Sequence, residues 1–251
     1  MRPNKCGVPV NDAAAVSVPE SPINRYETVA STVHTVFLLI VLAAVCALGY
    51  VSVHRQAVVH NPNRLLFYLP TMAWEWLVVG YIYWGLRRHG KSFQNIAGKS
   101  WKSASDFFID IAIAFGFWIG AIVILSIVSH LVHATGMAEA ARLLAPQDWL
   151  ESIVWVGLAV TAGICEETIF RGYLQRQFVA WTGSAAVGVV LSAALFGLGH
   201  VYQGAKATIV IGVYGLMFGI LAEVRQNLRP GIITHAWHDA ITGLIIRFLP
   251  K

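Results

Sequence analysis

The residues whose types and spacing are best suited to chemistry are Glu166, Glu167 and Arg171. They lie in the stretch 163–173 (GICEETIFRGY), which an apolar run over 153–162 enters directly. Ionisable groups at membrane depth are expensive and by default mark a functional site. On an α-helix Glu167 and Arg171 are four residues apart and share a face suited to an ion pair, while Glu166 points about 100° away from Glu167. Glu166 is therefore the acid left free to act on a proton. The competing reading of the same three residues is a charged helix end at the lipid headgroups.

Two further clusters separate these readings. Phe196-Gly197-Leu198-Gly199-His200 closes an apolar segment whose Gly188, Ser192, Ala193, Ala194, Gly197 and Gly199 let other helices approach closely. In 234–239 (THAWHD) His235 and Asp239 stand four apart on one helical face, with His238 about 60° off the face of His235. Either histidine alone is ordinary as a helix-helix hydrogen bond. With a glutamate pair on a third helix, Glu166, His200, His235 and Asp239 are expected to converge on one site.

These clusters need elements to hold them, and composition names the solvent for those elements. Of 251 residues 57% are hydrophobic and 12% charged, and the mean hydropathy is +0.62. Soluble domains are about 45–50% apolar and about 25% charged, so the chain is expected to be an all-α, polytopic helical membrane protein. Lys and Arg exceed Asp and Glu, 18 to 13, but they collect between apolar spans rather than on one face, which argues against a nucleic-acid partner. Cys6, Cys46 and Cys165 have neither metal-ligand spacing nor a disulfide framework, and Cys165 reads as a small apolar filler.

Residues 1–30, punctuated by Pro3, Pro9, Pro19 and Pro22, read as a disordered N-terminal arm. Residues 31–251 read as the membrane domain. No signal-peptide pattern precedes the first apolar segment, so it is expected to remain as an anchor. Seven crossings are expected, near 31–53, 65–86, 106–130, 149–171, 184–202, 207–223 and 231–249, with six or eight if a segment is re-entrant. Glu75, in the second span, reads more readily as a carboxylate satisfied by a neighbouring helix than as a catalyst. Asp106 and Asp110 open the third span, where acids suit a helix N-terminus. With seven crossings, Arg2, Lys5 and Arg25, the basic residues of 87–102, Arg171, Arg176, Arg225 and Arg229 share one side, twelve against six on the other. Basic residues accumulate in cytoplasmic loops, which puts the N-terminal arm in the cytoplasm.

The motifs resemble those of the CPBP intramembrane proteases, which include type II CAAX prenyl proteases and bacteriocin-immunity-related proteins. The pattern is Glu-Glu-x-x-x-Arg at Glu166, Glu167 and Arg171, then Phe-x-x-x-His at Phe196 and His200, then His-x-x-x-Asn/Asp at His235 and Asp239. It spans roughly 150–246, and the first half of the chain shows only generic apolar spans. The resemblance implies a helical membrane fold, a cavity open to the cytosol, and peptide-bond hydrolysis near the cytoplasmic membrane surface. It implies as partners the lipid bilayer and a membrane-embedded or lipid-anchored peptide. Residue chemistry adds a route: Glu166 with His200 can hold and deprotonate a water, and something must stabilise the oxyanion.

In the resembled family that last role falls to the histidine and asparagine of the final motif, whereas this chain has Asp239. An ionised aspartate only accepts hydrogen bonds. Asp239 must then be protonated, orient His235, or bind a cation. A divalent metal, zinc, on Glu166, His200, His235 and Asp239 is chemically reasonable, although no His-Glu-x-x-His motif is present, and a metal-free mechanism stays open beside it. Two other classes compete: a non-catalytic binding or immunity protein on the same scaffold, and a proton-coupled transporter. Intact Glu166, His200 and His235 argue against the first, and the lack of an internal repeat against the second.

Overall fold

The computed structural model describes residues 26–56, 63–134 and 137–248. Most of the expected N-terminal arm, residues 1–25, lies outside them. Its last residues, Val29 and Ala30, are buried, and the Gln177 side chain accepts both of their N–H groups and donates to the Ala30 carbonyl.

Helices α1 (Thr32–Gln56), α2 (Leu65–Arg88), α3 (Gln94–Ala97), α4 (Ala104–Leu131) and α5 (Met137–Leu144) make up the first half. The second half holds α6 (Trp149–Glu166), a π-helical segment (Glu167–Leu174), α7 (Gln175–Thr182), α8 (Ala185–Gly199), a 3-10 turn (Val201–Gln203), α9 (Ala205–Arg225) and α10 (Arg229–Phe248). Every expected span is a helix. Among the described residues five are long and apolar enough to cross a membrane: Thr32–Val53, Leu65–Arg88, Ala104–Leu131, Trp149–Thr182 and Ala205–Arg225. Helix α8 is apolar but shorter, and α10 carries the polar site residues along its length.

Local chemistry marks where these helices start. Ser103 caps α4 and closes a capping box with Asp106, Asp148 caps α6 through the Glu151 N–H, and Ser184 caps α8 through the Val187 N–H. Each satisfies an N–H group that a helix start leaves without a partner. The surface of α1 and α4 is largely apolar, with Phe37, Ile40, Phe108, Phe115 and Ile127 all exposed. In a bilayer that surface faces lipid, so the polar groups must turn inward.

Packing centres on α6, which lies against α2 on one side and α10 on the other, while α8 pairs with α9 and α4 backs α9 and α10. Glycine permits the closest approach. A Cβ on Gly163 would sit 2.9 Å from the Ala236 nitrogen and 2.9 Å from the Ile232 oxygen of α10. Any side chain there would push α10 away from Glu166, three residues further along α6.

One expectation of length changes. The helix bearing the acids does not end near Arg171 but continues through the π-helical segment and α7, a continuous span of 34 residues. At 1.5 Å per residue that is about 50 Å, well beyond the roughly 30 Å of hydrocarbon. Glu166 sits about midway along it, and Glu167 and Arg171 are buried. The cluster is therefore not an exposed helix end.

Candidate active site

The site is assembled where α6 passes into the π-helical segment. Widened i→i+5 turns are rare and recur at functional sites; here the Gln175 N–H reaches the Phe170 carbonyl. Within the segment Arg171 Nη1 donates to Glu167 Oε1 at 3.0 Å. Arg171 Nη2 donates to the Gly215 carbonyl of α9 at 3.1 Å. Its guanidinium lies 4.2 Å from the centre of the Phe196 ring and 5.1 Å from that of Phe218. An arginine with no solvent exposure is thus held by a carboxylate, a carbonyl and two aromatic faces.

Helix α10 brings His235 onto the same carboxylate. His235 Nδ1 is 3.0 Å from Glu167 Oε1. Since that acid cannot donate while ionised, the contact assigns the hydrogen to Nδ1. Nε2 then faces two other acids, Glu166 Oε2 at 3.7 Å and Asp239 Oδ2 at 3.6 Å. The His235 ring is stacked on Phe218 at 5.3 Å and edge-on to Phe196 at 5.9 Å, so its orientation is fixed on three sides.

Glu166 differs from its neighbour. Glu167 is occupied by Arg171 and His235 and its side chain is 1% exposed, whereas the Glu166 side chain is 18% exposed. Glu166 Oε2 has no hydrogen-bond partner among the described residues.

His200, at the end of α8, turns Nδ1 onto the Phe196 carbonyl at 2.9 Å. A carbonyl accepts, so Nδ1 carries the hydrogen and Nε2 presents its lone pair. The His200 ring lies 4.9 Å from Phe196 and 6.0 Å from Tyr202. Phe196 therefore links the two histidines, and among the described residues His200 makes no ion pair with the acids.

So Glu166, Glu167, Arg171, His235 and Asp239 meet in one connected cluster, with Phe196 packed against it and His200 adjacent through that ring. His238 belongs elsewhere, accepting from the Trp118 indole N–H at 3.1 Å. Cys165 is fully buried in the core with Ile169, Tyr173 and Val78.

Sequence reasoning undervalued three residues. Glu75 of α2 is buried, lies in electrostatic range of Glu166, His235 and Asp239, and leaves Oε2 without a hydrogen-bond partner among the described residues. Tyr202, on the 3-10 turn, lies in electrostatic range of Glu166. Tyr214 of α9 packs within 6.5 Å of His235. A lone acid in an apolar span was the visible signal for Glu75, and Tyr214 opens the stretch 214–219 that shares in the family resemblance; Tyr202 had none.

The donor types suit zinc. Among the described residues no group of three or more His, Cys, Asp or Glu is gathered to hold a metal ion.

Comparison with protein families adds one finding. A family model for type II CAAX prenyl endopeptidases, Rce1-like, matches residues 148–241. The likeness covers 94 of the 251 residues and lies in the second half of the chain. The matched stretch begins at the cap of α6 and ends two residues past Asp239, so it contains every residue of the cluster except Glu75. Helices α1 to α5 lie outside it. Comparisons with curated proteins and with solved structures gave no match.

Proposed function

We propose that the chain is an intramembrane endopeptidase in which Glu166 is the general base. The observation that carries this reading is the inequality of the two adjacent acids: Glu167 is consumed by Arg171 and His235, and Glu166 keeps a buried, unpartnered oxygen beside His235. A water between Glu166 and His200 loses one proton to the Glu166 carboxylate, while its second hydrogen is accepted by His200 Nε2. The hydroxide adds to the scissile carbonyl carbon, and the C=O electron pair moves onto oxygen. His235, its Nδ1–H on Glu167, donates from Nε2 to that oxyanion as the imidazolium. Collapse of the intermediate breaks the C–N bond, and the proton held by Glu166 passes to the departing amine.

Asp239, its Oδ2 3.6 Å from Nε2, balances the charge of that imidazolium, and no step requires a metal. The substrate class is a membrane-embedded or lipid-anchored peptide, with a prenylated CAAX C-terminus the first candidate from the family match. The distribution of Lys and Arg supports a cytoplasmic N-terminus.

The test is hydrolysis in detergent of a fluorescence-quenched CAAX peptide, prenylated and unprenylated, alongside a peptide library. Wild type and Glu166→Ala are compared with and without chelator. Cleavage by wild type alone, unaffected by chelator, is expected. Equal cleavage by the variant would overturn the assignment of Glu166, and no cleavage by the wild type of any peptide would overturn the peptidase reading.

A further inference from the structure

The peptidase reading leaves the oxyanion short of donors. In the resembled family an asparagine can supply a neutral N–H beside the histidine, but Asp239 as a carboxylate offers only acceptors. A second preorganised donor has to come from elsewhere in the cluster.

Tyr214 meets the requirement. It is 6% exposed, and among the described residues its hydroxyl is buried without a hydrogen-bond partner. Its ring is held from several directions, 4.4 Å from Phe218, 5.1 Å from His238 and 6.5 Å from His235. His238 is in turn fixed by the Trp118 indole of α4, so the phenol is clamped between α9, α10 and α4. The hydroxyl lies in electrostatic range of Asp239, Glu167 and Arg171, the groups that bracket His235.

We propose that the Tyr214 hydroxyl is the second hydrogen-bond donor to the oxyanion, acting beside His235 where Asp239 cannot. This inference rests on the peptidase reading. A buried hydroxyl with no partner is unfavourable in the resting protein. It acquires an acceptor only when negative charge develops on the carbonyl oxygen, so the interaction is made in the transition state rather than in the ground state. No proton is transferred: the O–H remains on Tyr214 throughout.

Tyr214→Phe tests this by removing the hydroxyl and keeping the ring contacts. On the CAAX peptides kcat is expected to fall roughly 10²–10³-fold, with KM unchanged and Tm no lower, since no resting-state partner is lost. In an Asp239→Asn background the amide restores a neutral donor, and the loss caused by Tyr214→Phe is expected to shrink. Unchanged kcat in Tyr214→Phe overturns the proposal, as does an equal loss in both backgrounds. A loss accompanied by a lower Tm also overturns it, because the hydroxyl would then serve packing. These outcomes are read from an active wild type, whereas a wild type that cleaves no peptide overturns the peptidase reading and this inference together.

Discussion

Among the described residues, two buried charge clusters, one around Asp110 and one around His235, are built on opposite plans. Near the start of α4, Asp110 is 1% exposed and has both carboxylate oxygens engaged. Arg225 Nη2 lies at 3.3 Å from Oδ1, and Arg229 Nε at 2.6 Å and the Trp101 indole N–H at 2.8 Å from Oδ2. Cations outnumber the acid, and both arginines reach solvent, with side chains 34% and 22% exposed. At the π-helical segment the balance is reversed. Glu166, Glu167 and Asp239 surround His235, Arg171 is wholly buried, and Glu75 adds a fourth carboxylate in range. Atoms of Glu166, Glu75, Arg171 and Tyr214 there have no hydrogen-bond partner among the described residues. A cluster whose acid is fully engaged by cations joins the ends of α9 and α10 to α4. A cluster with surplus acid and unmatched atoms is stable only because the fold overdetermines it, and it keeps groups ready to bond a substrate.

The sharpest way to break this contrast is Glu166→Gln. It preserves shape and removes the base, so turnover should fall about 10²–10⁴-fold with Tm unchanged in detergent. Glu167→Gln should instead strand Arg171 with no solvent to turn to, at a cost approaching about 3–5 kcal/mol. Its main signature is a fall in Tm, with activity lost through the misorientation of His235. Equal activity losses with unchanged Tm in both variants would erase the distinction between the two acids.

Asp239→Asn sharpens the comparison within the reactive cluster. If Asp239 orients His235 in a metal-free site, the amide adds a neutral donor and activity should survive or rise at neutral pH. If it is a zinc ligand, bound zinc and activity should fall together, with partial recovery in excess zinc. Metal content per protein, measured beside kcat, separates the outcomes. The smallest effect is expected from Asp110→Asn. Its arginines can turn to water, so the loss should be on the order of 1 kcal/mol, read as a modest drop in Tm with kcat of the folded protein retained. A loss of kcat matching that of Glu166→Gln would move Asp110 into the reactive machinery.

Asp110 also illustrates what linear reading misses. Beside Asp106 it resembles a helix-start acid, and Asp106 does close the α4 capping box. The partners of Asp110, Arg225 and Arg229, lie more than a hundred residues away. Nothing in the local pattern distinguishes the two aspartates.

What the sequence determined alone is whatever depends on composition or on neighbours within one helical turn. Apolar content set the bilayer as solvent and placed the helices, because about 20 apolar residues are needed to cross the hydrocarbon. The four-residue spacing of Glu167 and Arg171 anticipated their 3.0 Å pair, because backbone periodicity alone brings such residues together. Tertiary structure decided the rest. The closeness of α6 and α10 at Gly163 brings Glu167 to His235, 68 residues apart. The packing of α2 on α6 brings Glu75 within range of Glu166, and α9 delivers Tyr214. The π-helical widening and the run of the helix on to Thr182 were likewise unreadable, since they answer to what packs around the acids. Helix-helix contacts inside a membrane are chosen by shape and by the satisfaction of buried polar groups, and neither leaves a periodic trace in the chain.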